Sequence, residues 1–146
     1  MEYRLTLGSL ETVAIPSLGI PELVAKVDTG AFSGALHCTD ISLMRGDDGR
    51  TLLYFTPLGE PSLATSTGDF KAVTVRSANG QEEDRYLIPI TVTVQGTDYD
   101  TYIGLTDRIS MKHDMLLGRR FMIEQNALVD VMLTKDIDTE AEGFGL

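Results

Sequence analysis

The sequence predicts a mainly β domain, arranged as a barrel or a folded sandwich, with one short helix near its carboxyl end. Beta-branched and aromatic residues recur in short runs, and Gly, Asp, Asn or Pro separates the runs about every ten residues. Only residues 119–125, which follow an apolar run and Gly118, have the pattern of a helix. The length of 146 residues is that of one domain.

Each predicted strand is a short apolar or β-branched run that ends at turn-forming residues. In chain order the runs are Tyr3–Leu7, Val13–Ile15, Leu23–Val27, Ala35–Leu43, Thr51–Thr56, Phe70–Val75, Tyr86–Val94, Tyr99–Leu105 and Leu128–Leu133. From Ile88 to Val94 apolar residues alternate with Pro or Thr, which predicts a half-buried strand. Residues 57–68 are rich in Pro, Gly, Ser and Thr and predict an irregular loop, whereas Asn79-Gly80 predicts a hairpin between the strands on either side.

Composition excludes several classes of protein. Hydrophobic residues make up 42% and charged residues 23%, which is typical of a globular chain and not of a disordered one. The net charge is −10 and Lys and Arg do not cluster, so duplex nucleic acid is not an expected partner. No apolar run approaches the roughly 20 residues of a membrane helix, and the amino terminus lacks the pattern of a signal peptide.

Cysteine content and charge distribution add two expectations. Cys38 is the single cysteine, which excludes an intramolecular disulfide and predicts a reducing, cytoplasmic location. The last eleven residues carry four acidic residues and no basic one. We therefore predict a domain over residues 1–133 and an acidic, flexible tail over residues 134–146.

The first candidate for chemistry is a carboxylate at the end of an apolar strand. Asp28 follows the run Leu23–Val27, and Thr29 and Gly30 come directly after it. Asp and Gly also lead turn statistics, so turn formation alone is an alternative interpretation. A second motif stands downstream, where the apolar run Met115–Leu117 is followed by Gly118 and by Arg119, which opens the predicted helix.

Together these two motifs resemble those of the retropepsins, the single-domain aspartic proteases. The resemblance implies a closed β-barrel with one short carboxyl-terminal helix, and a flap formed by Val75–Glu83. It also implies that Asp28, Thr29 and Gly30 form the catalytic motif, supported by Gly118 and Arg119. A chain with one such motif completes its site only as a homodimer in which two Asp28 carboxylates activate a water molecule.

Several further segments point to a more specific family. In chain order they are Leu18–Pro21, Ala25–Ala31, Ala35–His37, Val75–Ser77, Leu105–Arg108 and Met115–Arg119. They resemble the bacterial family named ATP-dependent zinc proteases, or RimB-like proteins, from about residue 8 to residue 133. That family commonly has Thr-Ser where this chain has Ser33-Gly34, and Asp-Pro where it has Asp130-Val131.

The resemblance also suggests substrates and partners. Ala31, Arg76, Ser77 and Arg108 are the candidate substrate-binding residues. The implied substrates are peptides, including glutamate-rich tails made by an ATP-grasp glutamate ligase of the RimK type, which is the implied partner. A catalytically inactive peptide-binding or adaptor module is the alternative function. A zinc-dependent hydrolase is a further alternative.

The residues themselves do not favour a cofactor. Only His37, Cys38 and His113 offer nitrogen or sulfur ligands, and adjacent strand residues point to opposite faces. A site formed by His37, His113 and a carboxylate stays open as an alternative. No phosphate-binding loop is present, so we predict neither a metal nor a nucleotide. His37 is more typical of a hydrogen-bonded core histidine, and Cys38 of a small buried hydrophobic residue.

Overall fold

A computed structural model of the chain describes residues 3–76, 79–107 and 112–143. The strands are β1 (Leu5–Leu7), β2 (Leu10–Ile15), β3 (Ile20–Val27), β4 (Ala35–Arg45), β5 (Thr51–Pro57), β6 (Thr65–Thr67), β7 (Lys71–Arg76), β8 (Glu82–Val94), β9 (Thr97–Thr106), β10 (Met115–Leu117) and β11 (Ala127–Val129). The helices are α1 (Arg119–Glu124) and α2 (Lys135–Ala141), and short 3-10 turns cover Pro16–Leu18 and Pro61–Leu63. The mainly β fold is confirmed.

The strand pairings of the large sheet close into a ring. Its order is β10–β3–β2–β8–β9–β4, and β10 pairs both with β3, in parallel, and with β4, antiparallel. Outside the ring, β5 and β6 extend the sheet from β4, whereas β7 pairs with β8. Strands β1 and β11 form a separate parallel pair. Because β10 joins β3 to β4, the segment after residue 114 is brought to the end of β3.

The core lies where the inward-facing residues of these strands meet. Along β8, Ile88, Ile90, Val92 and Val94 are all buried, so the predicted alternation is confirmed. Helix α1 adds Phe121 and Met122 to the same core. Each such aliphatic or aromatic side chain contributes about 1.5–3 kcal/mol on burial, so the ring is stabilised mainly by packing.

The carboxyl-terminal elements differ from the prediction. The strand expected over Leu128–Leu133 is wrong beyond Val129, because the chain turns at Asp130. Its carboxylate oxygen Oδ1 accepts a hydrogen bond from the Met132 amide at 2.9 Å, and its carbonyl accepts one from the Leu133 amide at 3.0 Å. Aspartate forms such local bonds readily, and they compete with strand pairing.

Helix α2 lies within the segment that we predict to be an acidic tail. None of its residues is buried. Lys112 Nζ lies 2.6 Å from Glu142 Oε1 just beyond the helix, and this ammonium lowers the pKa of the Glu142 carboxyl. The division of the chain at residue 133 stays a prediction. Within the described ranges, neither helix is long and apolar enough to cross a lipid bilayer.

Candidate active site

The Asp28 carboxylate lies on a loop that β3 presents at the end of the ring. The Asp28 amide donates a hydrogen bond to the carbonyl of Leu117 at 2.9 Å, which continues the parallel pairing of β3 with β10. The Gly30 amide donates to Asp28 Oδ1 at 2.8 Å, and the Ala31 amide donates to the Asp28 carbonyl at 3.3 Å. Both the main chain and one carboxylate oxygen of Asp28 are therefore held in place.

The start of α1 braces this loop from the other side. The amides of Arg119 and Arg120 donate to the carbonyls of Ala31 and Phe32, each at 2.8 Å. Arg119 Nη1 also donates to the Thr29 carbonyl at 2.7 Å, and its guanidinium lies 5.8 Å from the centre of the Phe32 ring. Arg119 thus contacts the main chain of the Asp28 loop, as a charge-assisted hydrogen bond allows.

Two glycines, Gly34 after Asp28 and Gly118 before α1, allow the main chains of these two segments to pass close to each other. A Cβ on Gly118 would lie 2.3 Å from the Phe32 carbonyl oxygen and 2.6 Å from the Gly34 amide nitrogen. Gly34 has φ +76°, and a Cβ there would lie 2.5 Å from the Leu116 carbonyl oxygen. In the sequence Gly34 was visible only as a departure from the family pattern, whereas in the fold no other residue fits without a main-chain shift.

A cavity of about 630 Å³ opens beside Asp28. The β7–β8 hairpin, which we predict to act as a flap, forms one wall of it. Its lining residues are Asp28, Ala31, Phe32, Ser33, Gly34, Ala35, Val73, Arg76, Glu83, Arg85, Leu87, Thr106, Leu116 and Arg120. A mixed apolar and polar lining at this volume is typical of a ligand site.

The predicted site residues divide into three groups. Asp28, Ala31 and Arg76 line the cavity together. Thr29 and Gly30 belong to the Asp28 loop, and Gly118 and Arg119 to the start of α1 that packs against it; none of these four is among the lining residues. Ser77 and Arg108 lie outside the described residues. The catalytic, substrate-binding and supporting roles assigned to these residues stay predictions.

Three polar lining residues, besides several apolar ones, were not predicted from the sequence. Arg85 is 15% exposed, and its Nη2 lies 3.6 Å from Glu83 Oε2. Arg120 stacks on the ring of Tyr102 at 4.9 Å from its centre. The third is Thr106. The prediction began the strand at Tyr86, whereas β8 starts at Glu82, so the alternation of residues 83, 85 and 87 toward the cavity was not seen.

The charged residues that line the cavity are of both signs, with more arginines than carboxylates. Arg76, Arg85 and Arg120 line the cavity together with Asp28 and Glu83. Arg76 also lies 3.1 Å from Glu82 at the exposed end of the hairpin. A cavity with this lining suits a ligand that carries hydrogen-bond acceptors or negative charge.

His37 and Cys38 lie on opposite faces of β4. Cys38 is fully buried in the core, as predicted for a small hydrophobic residue, and burial raises the pKa of its thiol to about 12. The expectation of a hydrogen-bonded core histidine is not met at Nδ1, which is buried without a partner among the described residues, and His37 as a whole is only half-buried. No three His, Cys, Asp or Glu side chains in the described ranges are grouped to hold a metal ion. These residues therefore do not fit a zinc site.

Fold and loop together define a retropepsin-like domain: a ring of strands with Asp-Thr-Gly at the end of one strand and Gly-Arg packed against it. The family model described as "Retropepsin-like aspartic endopeptidase RimB" matches residues 6–140. The chain belongs to this RimB-like family.

Relatives and a solved structure extend this finding. The chain is 32% identical over 134 residues to a protein of Shewanella pealeana named "Probable alpha-L-glutamate ligase", covering 88% of this chain and 29% of that protein. A protein of the same name from Parasynechococcus marenigrum is 30% identical over 134 residues, with 89% and 28% covered. The chain thus spans less than a third of the length of these relatives.

One solved structure with a similar fold is a Legionella pneumophila protein of unknown function, described as DUF785. It has a TM-score of 0.68 and 26% sequence identity, and the match covers 89% of this chain and 95% of the neighbour. The match extends over nearly the whole of both chains, so the fold described here is shared by the two proteins.

Proposed function

We propose that the chain is an aspartic endopeptidase that works as a homodimer, with one Asp28 from each protomer at the shared site. The observation that carries the proposal is the position of Asp28. It lies on an anchored Asp-Thr-Gly loop, lines the cavity beside it, and faces the β7–β8 hairpin. Family membership supports the same chemistry.

The proposed mechanism needs two carboxylates close together. Two carboxylates at such short range cannot both be ionised, so they share one proton. The ionised carboxylate accepts a proton from water, while the protonated one donates its proton to the scissile carbonyl oxygen. The bond from Gly30 to Oδ1 of Asp28 orients the carboxylate for this exchange. One chain supplies one such motif, and for this reason the proposal requires a dimer.

We further propose that the substrates are acidic peptides, such as glutamate-rich tails made by a RimK-type ligase. Arg76 and Arg85 on the hairpin and Arg120 on α1 supply positive charge to the cavity. In two relatives a segment similar to this chain is part of a larger protein named as a glutamate ligase, which supports a ligase partner. The net charge of −10 opposes acidic substrates at long range, but salt screens that repulsion beyond about 10 Å.

The proposed location is the cytoplasm. A ligase that uses ATP works there, and a reducing compartment keeps the buried Cys38 thiol free.

The test is peptide cleavage by the unaltered protein and by Asp28→Asn from pH 4 to pH 8, with and without a chelator. The substrates are a mixed peptide library that includes glutamate-rich members. We expect cleavage that is lost in the variant and is insensitive to the chelator. If the chelator abolishes cleavage and Asp28→Asn does not, a zinc hydrolase would be favoured.

A second function, that of a peptide-binding adaptor without catalysis, is favoured by the same cavity if the chain is monomeric. Gel filtration separates the two, because a stable monomer cannot bring two Asp28 carboxylates together. No cleavage by either protein would refute the peptidase and favour the adaptor. Equal cleavage by the unaltered protein and Asp28→Asn would refute catalysis by Asp28.

A further inference from the structure

One wall of the Asp28 cavity contains a buried hydroxyl that makes no hydrogen bond to any described residue. Thr106, at the end of β9, is 3% exposed and lines the cavity. Its Oγ1 is buried and has no hydrogen-bond partner within the part of the chain that the structure describes. Buried hydroxyls are nearly always hydrogen-bonded, so an unpaired one at a cavity wall indicates a group that binds there.

A second unpaired atom lies beside it. In the parallel pairing of β4 with β9, His37 is in register with Thr106, as Ala35 is with Gly104. Residues in register project from the same face of a sheet, and both Ala35 and Thr106 line the cavity. His37 therefore projects from the same face of the sheet as Thr106 and lies next to this lining residue without itself lining the cavity. Its buried Nδ1 also lacks a partner among the described residues.

The main chain of His37 is already hydrogen-bonded. The His37 amide donates to the Asp114 carbonyl at 2.8 Å, and the His37 carbonyl accepts from the Leu58 amide at 2.8 Å. Among the described residues, the buried atoms without a partner here are the side-chain atoms His37 Nδ1 and Thr106 Oγ1. A hydroxyl and an imidazole nitrogen on neighbouring strands can pair with the carbonyl and the amide of one peptide unit.

We propose that Thr106 Oγ1 and His37 Nδ1 form a subsite that hydrogen-bonds the main chain of a peptide bound in the Asp28 cavity. This rests on the proposed function only in requiring that a peptide occupies the cavity. The Thr106 hydroxyl donates to a peptide carbonyl, and His37 pairs with the neighbouring amide. Because the main chain is the same in every peptide, this subsite contributes equally to acidic and neutral sequences, unlike the arginines.

The test measures binding in an Asp28→Asn background, so that the peptides stay intact. The probes are fluorescein-labelled hexaglutamate and a labelled neutral hexapeptide of Ser and Gln, followed by fluorescence anisotropy. Thr106→Val keeps the shape and removes the hydroxyl, so both peptides are expected to bind about 3- to 10-fold more weakly. His37→Phe is expected to weaken both in the same way.

Thermal unfolding gives the second readout. Thr106→Val, the weaker binder, is expected to be the more stable of the two Thr106 variants, and Thr106→Ser the less stable. Thr106→Val is expected to melt no lower than its parent, because the lost hydroxyl is unpaired in the free protein. Thr106→Ser keeps the hydroxyl but loses a buried methyl, so it is expected to melt lower and to bind normally. Thr56→Val is the control, since Thr56 is a buried β5 residue that does not line the cavity.

Several results would overturn the subsite. They are unchanged binding by Thr106→Val, a melting temperature of that variant several degrees below its parent, weakening of hexaglutamate alone, and no binding of either peptide at millimolar concentration. The peptidase proposal fails by a different result, equal cleavage with and without Asp28. The two failures are therefore distinguishable.

Discussion

Gly34→Ala is the substitution for which the structure gives the sharpest expectation. An alanine there would have to adopt φ +76°, which is about 1–2 kcal/mol less favourable for a residue with a Cβ. That Cβ would also lie 2.5 Å from the Leu116 carbonyl oxygen and 3.2 Å from the Gly118 amide nitrogen. Both contacts are main-chain atoms, so no side chain can rotate away, and such overpacking adds about 1–3 kcal/mol.

The matched control is Gly49→Ala. Gly49 has φ +81°, and a Cβ there would meet nothing within 4 Å. The two variants share the left-handed conformation and the same entropic effect of alanine on the unfolded chain, so their difference isolates the crowding. We expect Gly34→Ala to lose about 1–3 kcal/mol more than Gly49→Ala in the free energy of unfolding.

Urea unfolding followed by circular dichroism measures both values. Equal destabilisation by the two substitutions would refute the close crossing of the Gly34 and Gly118 segments. In the same experiment, Gly34→Ala is expected to lower any Asp28-dependent cleavage, because the segment it displaces holds the Asp28 amide through Leu117. Gly49→Ala is expected to leave cleavage unchanged.

Three further predictions concern single side chains. Burial raises the pKa of Cys38 from 9.0 to about 12, so above pH 9 the unfolded chain loses the thiol proton while the folded chain keeps it, and stability falls. At pH 10 the unaltered protein should lose about 1.4 kcal/mol more than Cys38→Ala, relative to pH 7, in urea unfolding; parallel curves would contradict this. Arg119→Met removes the bond to the Thr29 carbonyl and should lower the unfolding free energy by about 0.5–1.5 kcal/mol, whereas an unchanged urea midpoint would show that the bond adds nothing. Glu11, 5% exposed, accepts the Gly8 amide at 2.7 Å, so Glu11→Ala should cost about 1–3 kcal/mol and Glu11→Gln less; the opposite order would contradict the buried contact.

Local pattern predicted much of the fold because strands bury alternate residues. The β8 alternation and the hairpin at Asn79-Gly80 are properties of neighbouring residues, and both could be read directly. The start of β8 at Glu82 could not, because residues 82–85 are charged and polar. They form a strand through pairing with β7, and that is a tertiary contact.

The candidate site was predictable only in part for a similar reason. Asp28 stands in a recognisable motif, whereas the need for glycine at position 34 arises from a segment more than eighty residues away. Thr106 and His37 likewise become neighbours through the parallel register of β4 and β9. Such contacts depend on the closed ring and leave no periodic trace in the sequence.

The short strand β10 has a consequence for how the protein is made. It joins β3 to β4, and its Leu117 carbonyl accepts the hydrogen bond from the Asp28 amide. In the sequence, however, β10 comes long after Asp28. At the usual rates of translation, roughly 5 to 20 s separate the synthesis of the two segments. During that interval the nascent chain carries the Asp-Thr-Gly residues without the strand and helix that shape them. The loop can therefore acquire its final form only after most of the domain has been synthesised.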